Sequence, residues 1–215
     1  LKRVGSGYQQ PELIYTNITG TANVIDAALE AGVRTVVLLS SDKAVEATNQ
    51  YGVTKAAAEG IAVHANSYTA PRGMKVLVVR YGNVYGSRGS VIETWARQHS
   101  QGAPLTMTDP EMTRFVISLP HAVEVVQEVL CYPTHGGEIF IPRLPSVAMG
   151  TLAMALYGKH DWLRTGFRPG GEKRHESLLS HDERYRVHTV SNALRLVPPS
   201  FHSWTIHDYT TAEVT

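Results

Sequence analysis

Cysteine is almost missing from this chain of 215 residues. Cys131 stands alone, so no intramolecular disulfide can form; with no metal-ligand spacing around it, it reads as a buried or helix-end thiol suited to a reducing compartment. Long apolar runs are missing too. Nothing approaches the roughly 18 residues that a membrane helix needs, and Leu1-Lys2-Arg3-Val4 lacks a signal-peptide core, so a cytoplasmic protein without a membrane span is expected. Excess charge of either sign is absent: 20 basic against 19 acidic residues leave +1, in no long block. That balance argues against the polyanion footprint of a nucleic-acid binder and leaves room for a small anionic ligand. Ten histidines lack any His-Glu-x-x-His spacing, and His175 with His181 is too sparse to specify a metal site, so no metal is expected. The sequence also has no Gly-x-x-Gly-x-x-Gly turn of the kind that receives a dinucleotide pyrophosphate; Gly5-Ser-Gly7 follows no predicted strand and reads as a loop.

What is present has ordinary globular texture, 43% hydrophobic and 18% charged. From Thr21 to Ala31 the spacing places Val24, Ile25, Ala28 and Leu29 on one helical stripe, with Gly32 as C-cap. The run from Val33 to Leu39 then predicts a strand buried on both faces. The pattern repeats with an alanine-rich helix over 49–64 and a second buried strand over 74–80, which predicts an open, parallel α/β sheet. Beyond Tyr81 come glycine-punctuated loops, a helix over 91–101, an extended 104–109, a helix over 121–130 behind Pro120, a strand over 138–142 and a short helix over 151–157. After Arg168 the sequence predicts loop, helix and one late strand near 185–190.

Chemistry gathers behind the first of these strands. It ends in Ser40-Ser41-Asp42-Lys43, and ligands of open α/β sheets sit at the carboxyl ends of strands. Tyr51 and Lys55 follow at helical spacing, one turn apart. A lysine cation beside a phenol favours the phenolate and lowers a pKa of about 10, so Tyr51 is expected to serve as a base, with Ser41 holding the same substrate hydroxyl. A Tyr-x-x-x-Lys pair on a solvated helix face has no such meaning by itself; its position behind the polar strand end gives it one.

The order Thr-Asn-x-x-Gly-Thr (16–21), Ser-Asp-Lys-Ala-Val (41–45), Tyr-Gly-x-Thr-Lys (51–55), Arg-Tyr-Gly-Asn-Val-x-Gly-Ser-Arg-Gly-Ser (80–90) and Thr-Asp-Pro-x-Met-Thr-Arg-Phe (108–115) resembles the polysaccharide-biosynthesis UDP-N-acetylglucosamine 4,6-dehydratases, which are extended short-chain dehydrogenases/reductases. The likeness runs from Lys2 to about Glu183. It implies a partial Rossmann-like, doubly wound parallel sheet with a smaller α/β substrate-binding region. Residues 1–83 would be the carboxyl-terminal half of the cofactor domain and 84–215 mainly the nucleotide-sugar region, with 118–142 returning to the sheet. It implies NADP, or NAD, as cofactor, held by Lys2, Asn17, Ser40, Tyr51 and Lys55. The implied reaction oxidises C4 of a UDP-sugar through Tyr51 and Lys55, then eliminates water across C5 and C6 with Lys43 as base and Asp42 as acid. Lys2, Asn83, Val84, Arg88, Ser90, Arg114, Arg168 and Glu172 would hold the substrate, with Lys173 and Glu176 in the same stretch as Glu172. A homo-oligomer is implied for the full-length form. The family's pattern departs at Ala47 and Glu93, where it has proline, and at Gly171, which reads as an insertion. With the glycine-rich loop missing, the chain reads as amino-terminally truncated, with an open sheet edge and no activity of its own. A UDP-sugar epimerase and a non-catalytic nucleotide-sugar-binding remnant are the alternatives.

Overall fold

A computed structural model of the protein describes residues 11–158, 162–167, 171–190 and 193–198; Lys2, Arg168 and the segment 5–7 lie outside the described residues. The described chain begins with a short helix α1 (Pro11–Ile14), a π-helical turn (Tyr15–Thr19) and α2 (Gly20–Glu30). Gly32 takes up a φ of 72°, as the end of α2 requires. Ile25 and Leu29 are buried on the predicted stripe and Ala28 packs beside them, but Val24 is 62% exposed. One helical step from Ile25, it falls on the outer flank.

Strand β1 (Thr35–Ser41) starts later than the apolar run, and of its residues only Ser40 is buried. The expectation of burial on both faces fails because β1 pairs with β2 alone and lies at the end of its sheet; Leu39 is left 45% exposed. A 3-10 turn (Asp42–Ala44) leads on to α3 (Gln50–Thr69), whose Asn49 cap accepts the Gly52 amide. Ala58, Ala62 and Ala65 let this helix lie close on β2 (Lys75–Tyr81), whose interior residues are all buried. There follow β3 (Asn83–Val84), α4 (Val91–Ser100), β4 (Leu105–Met107), β5 (Thr113–Ile117) and α5 (Leu119–Cys131). The described chain is completed by β6 (Ile139–Pro142), β7 (Ser146–Ala148), α6 (Met149–Tyr157), β8 (Trp162–Arg164), a 3-10 turn (Glu183–Arg186), β9 (Val187–Val190) and β10 (Ala193–Leu196).

The main sheet has the order β1-β2-β6-β10-β9, with the first three strands parallel and β10 antiparallel to both neighbours. Alternation along β2 divides the core: Val76 and Val78 meet Ile25, Leu29, Ala62 and Ala65 on one face, while Leu77 and Val79 meet Ala122, Val125 and Val129 of α5 on the other. Helices on both faces of a sheet whose first three strands are parallel make this the doubly wound α/β fold that the sequence implies, although β10 runs antiparallel and makes the sheet mixed rather than wholly parallel. A smaller sheet, β3-β5-β7, and the pair β4-β8 lie beyond, the latter around a fully buried Trp95. Among the described residues no helix is long and apolar enough to cross a membrane. Cys131 is exposed at the end of α5.

Candidate active site

The register of β1 on β2 sets Ser40 opposite Arg80 and Ser41 opposite Tyr81, so the polar ends of both strands finish at one level. Immediately beyond, the 3-10 turn folds Asp42 inward until it is fully buried. Ser41 donates to Asp42 Oδ1 at 2.7 Å, and its oxygen accepts the Lys43 amide. Lys43 Nζ donates to the same Asp42 oxygen at 3.0 Å and to Asn83 Oδ1 at 2.9 Å. The second Asp42 oxygen and Ser40 Oγ are buried without a hydrogen-bond partner. Orphaned polar atoms of this kind are costly unless something else satisfies them.

Tyr51, buried in the first turn of α3, lies close enough to Ser41 and Asp42 for both to act on its phenol. The helix reaches it because residue 52 is glycine: a Cβ there would stand 2.3 Å from the Lys43 carbonyl oxygen. Lys55 donates to the Leu39 carbonyl at 2.6 Å, which places its amine along the end of β1. Burial pushes the Tyr51 phenol above its usual range, Asp42 adds to the rise, the Ser41 hydrogen bond opposes it and Tyr81 adds a little. Burial likewise pushes the Lys55 amine down, against Glu59. The expectation that Lys55 depresses the phenol is therefore corrected. Removal of the phenol from water, with a carboxylate at hand, outweighs an amine that is engaged with β1.

The remaining predicted residues are less uniformly placed. Asn17 sits in the π-helical turn, buried, with its amide donating to Thr54 Oγ, which in turn donates to the Tyr51 carbonyl; it steadies the first turn of α3 from behind. Val84 pairs with Ile117 in the small sheet. Arg88 is exposed in the loop before α4, and Ser90 is half-buried at the start of that helix with its hydroxyl unpartnered. Glu93, one of the departures, accepts the Gly89 amide at 2.6 Å and so closes this loop in proline's place. Arg114 is buried and donates to the carbonyls of Thr113, Lys173 and Arg174, within 3.7 Å of Glu172. Its guanidinium thus anchors the 171–176 strap.

That strap brings in a residue to which sequence reasoning gave no separate role. Gly171, with φ 86°, accepts from Asn49 and Thr48, and a Cβ would meet the Thr48 carbonyl at 2.1 Å, so the supposed insertion is a seating point. Lys173 donates to the Val45 carbonyl. Glu176 is thereby delivered to 3.9 Å from Lys43 Nζ, its side chain 6% exposed. Burial pushes its carboxyl up; Lys43, Arg114 and Lys173 pull down and Asp42 pushes up. On the far side of α3, Arg80 is clamped by Glu59 and Glu183. Among the described residues no group of three or more His, Cys, Asp or Glu has the arrangement of a metal site.

Over 192 residues the chain is 42% identical to a Campylobacter jejuni protein named UDP-N-acetylglucosamine 4,6-dehydratase (inverting), matching 89% of this chain and 57% of that one. It is 38% identical over 189 residues to a UDP-glucose 4-epimerase of Rickettsia massiliae, matching 86% and 55% respectively. The chain therefore spans little more than half the length of these relatives. Among solved structures, Pen from Bacillus thuringiensis superposes with a TM-score of 0.82 at 34% identity, covering 87% of this chain and 60% of that one. A family model described as polysaccharide biosynthesis protein matches residues 1–198, and the chain belongs to that family.

Proposed function

We propose that this chain carries the catalytic segment of a nucleotide-sugar 4,6-dehydratase acting on UDP-N-acetylglucosamine or a similar UDP-sugar, in surface polysaccharide or glycan biosynthesis. The observation that carries the reading is the contact of a buried carboxyl, Asp42, with an amine, Lys43, beside a phenol, Tyr51, at the carboxyl end of one parallel strand. A base, an acid and a second base are thereby within reach of one sugar ring.

The residues present fit a nicotinamide cofactor: Ser40 Oγ is buried and unpartnered, and Lys55 uses one of its donors on Leu39, leaving others for a ribose. Ser40, Tyr51 and Lys55 would hold it, with Asn17 behind them. A nicotinamide bound there supplies a hydride acceptor at C4 and a hydride donor at C6. Tyr51 takes the proton of the C4 hydroxyl, with Ser41 fixing the oxygen. The C4 ketone acidifies the C5 hydrogen, which Lys43 removes once it has passed a proton to Asp42 across their 3.0 Å contact. Asp42 protonates the C6 hydroxyl, which leaves as water, and a proton returns to C5. Asn83 ties Lys43 in place, and Val84, Arg88, Ser90 and Glu172 line the approach of the nucleotide-sugar. We place Arg114 as the support of the strap, since carbonyls occupy its guanidinium. Residues 1–83 serve the cofactor and 84–215 mainly the nucleotide-sugar, with 118–142 in the sheet. NADP or NAD is the cofactor, a homo-oligomer the assembly and, with a free exposed thiol at Cys131, the cytoplasm the setting.

A UDP-sugar 4-epimerase is the competing reading, favoured by the Rickettsia relative. It needs the Tyr51 oxidation but has no use for an acid and amine at C5 and C6. Mass spectrometry of UDP-N-acetylglucosamine incubated with the full polypeptide carrying this chain and NADP or NAD tests the proposal. Loss of one water is expected; unchanged mass with altered stereochemistry would establish the epimerase.

A further inference from the structure

A charged lysine has three N–H donors, and Lys43 hydrogen-bonds two acceptors of its own neighbourhood, Asp42 Oδ1 at 3.0 Å and Asn83 Oδ1 at 2.9 Å. A third oxygen, Glu176 Oε1, stands at ion-pair distance, 3.9 Å, and comes from the 171–176 strap. Most of the strap's polar contacts serve to seat it. The Gly171 carbonyl is held by Asn49, the Lys173 and Arg174 carbonyls by Arg114, the Arg174 carbonyl also by the Thr113 amide, and the His175 ring by the Thr113 hydroxyl. Glu176 is the acidic group that this seating places against Lys43, and its other oxygen, buried without a hydrogen bond, stands 3.9 Å from Lys173 Nζ. The charged groups around it are Lys43, Lys173, Arg114 and Asp42.

We propose that Glu176 is a positioning residue for Lys43, a carboxylate whose charge draws the amine into place between Asp42 and Asn83 and whose longer contact is the one to open when a sugar enters. The inference rests on the reading of Lys43 as the group that works at C5. Without that charge the amine is held by Asp42 and Asn83 alone; with it, the nitrogen is also drawn across the mouth of the sheet. The role is distinct from that of Glu172, which faces Arg114.

Acylation of amines by acetic anhydride at fixed pH, quantified at Lys43 by mass spectrometry in the full polypeptide, tests this without any need for turnover. Glu176→Gln is expected to raise modification of Lys43 about tenfold, the loss of one largely buried ion-pair contact. Glu176→Asp should restore much of the protection, and Glu111→Gln, which removes only the exposed pair with Arg174, should change nothing at Lys43. Hydrogen exchange at the Thr113 amide reports the seating of the strap and should stay as in the parent. Modification of Lys43 within twofold of the parent in Glu176→Gln overturns the proposal. So does a rise that is matched by faster exchange at Thr113, since Glu176 then only holds the strap. A rise at Lys43 in a protein that removes no water from UDP-N-acetylglucosamine leaves the positioning role standing and removes the dehydratase.

Discussion

At the scale of single residues burial sets the chemistry of the site. Tyr51 is pushed towards the neutral phenol by burial and by Asp42, so in the proposed reaction the binding of cofactor and substrate has to activate it. Absorbance titration of the tyrosinate band, with Tyr51→Phe as the subtraction, should place its ionisation above the usual value of about 10. Asp42→Asn should move it back down by removing a repelling charge. A midpoint below 10 in the parent would contradict the burial argument. Gly52 is the other decisive position. Its missing Cβ leaves room for the Lys43 carbonyl at 2.3 Å from where that carbon would stand, and backbone cannot yield as a side-chain tip can. Gly52→Ala should cost about 1–3 kcal/mol in a denaturant titration and reduce turnover at least tenfold, because Tyr51 would retreat from Ser41. Unchanged stability and turnover would show that the first turn of α3 adjusts freely.

At the scale of elements, the Arg80 clamp joins β2 to α3 and to the 3-10 turn Glu183–Arg186. Burial alone would make Arg80 give up its proton more readily, but the hydrogen bonds and charges of Glu183 and Glu59 raise its affinity for it instead. Removing one member of a buried charged group leaves the others uncompensated, so Arg80→Ala should destabilise the protein by about 3–5 kcal/mol, read as a shift of the urea midpoint. Burial raises the Glu183 carboxyl, yet Arg80 and Ser180 together hold it below the usual carboxylate range. A depressed carboxyl contributes stability that is present above its unfolded pKa, about 4.3 for a free glutamate, and lost as the pH falls through its folded value. Acid unfolding should accordingly lose that part of its steepness in Glu183→Gln, and an unaltered acid limb would count against the clamp.

Elements also show how far the sequence could be followed. The Val and Leu runs of β1 and β2, the alanine face of α3 and the stop at Gly32 are local signals, and they fall where the structure has them within a few residues. β10 has no such signal: Ala-Leu-Arg-Leu has helical propensity and becomes a strand because Ile139–Pro142 and Val187–Val190 flank it. β5 lies inside the stretch recognised for its resemblance, and as Thr-Arg-Phe-Val-Ile it carries a strand signal that could have been read. In the site, Ser41 to Lys43 and Tyr51 with Lys55 were legible because each group is contiguous or one turn apart. Glu176 and the turned-away guanidinium of Arg114 were not, since both depend on a strap that no local spacing encodes.

At the scale of the whole molecule, a three-layer core sets two strand ends level, and a distant strap closes over them. The chain is similar both to a relative named dehydratase and to one named epimerase, so the likeness does not choose between them; the proposal rests on the acid and amine at the mouth of the sheet. The most direct measurement compares two variants of the full polypeptide with UDP-N-acetylglucosamine and NADP or NAD, following reduced nicotinamide by absorbance and water loss by mass. Lys43→Met should let reduced nicotinamide accumulate with no loss of water, and Tyr51→Phe should give neither. Water loss at the parental rate in Lys43→Met would contradict the assignment of the two halves of the reaction to these two residues.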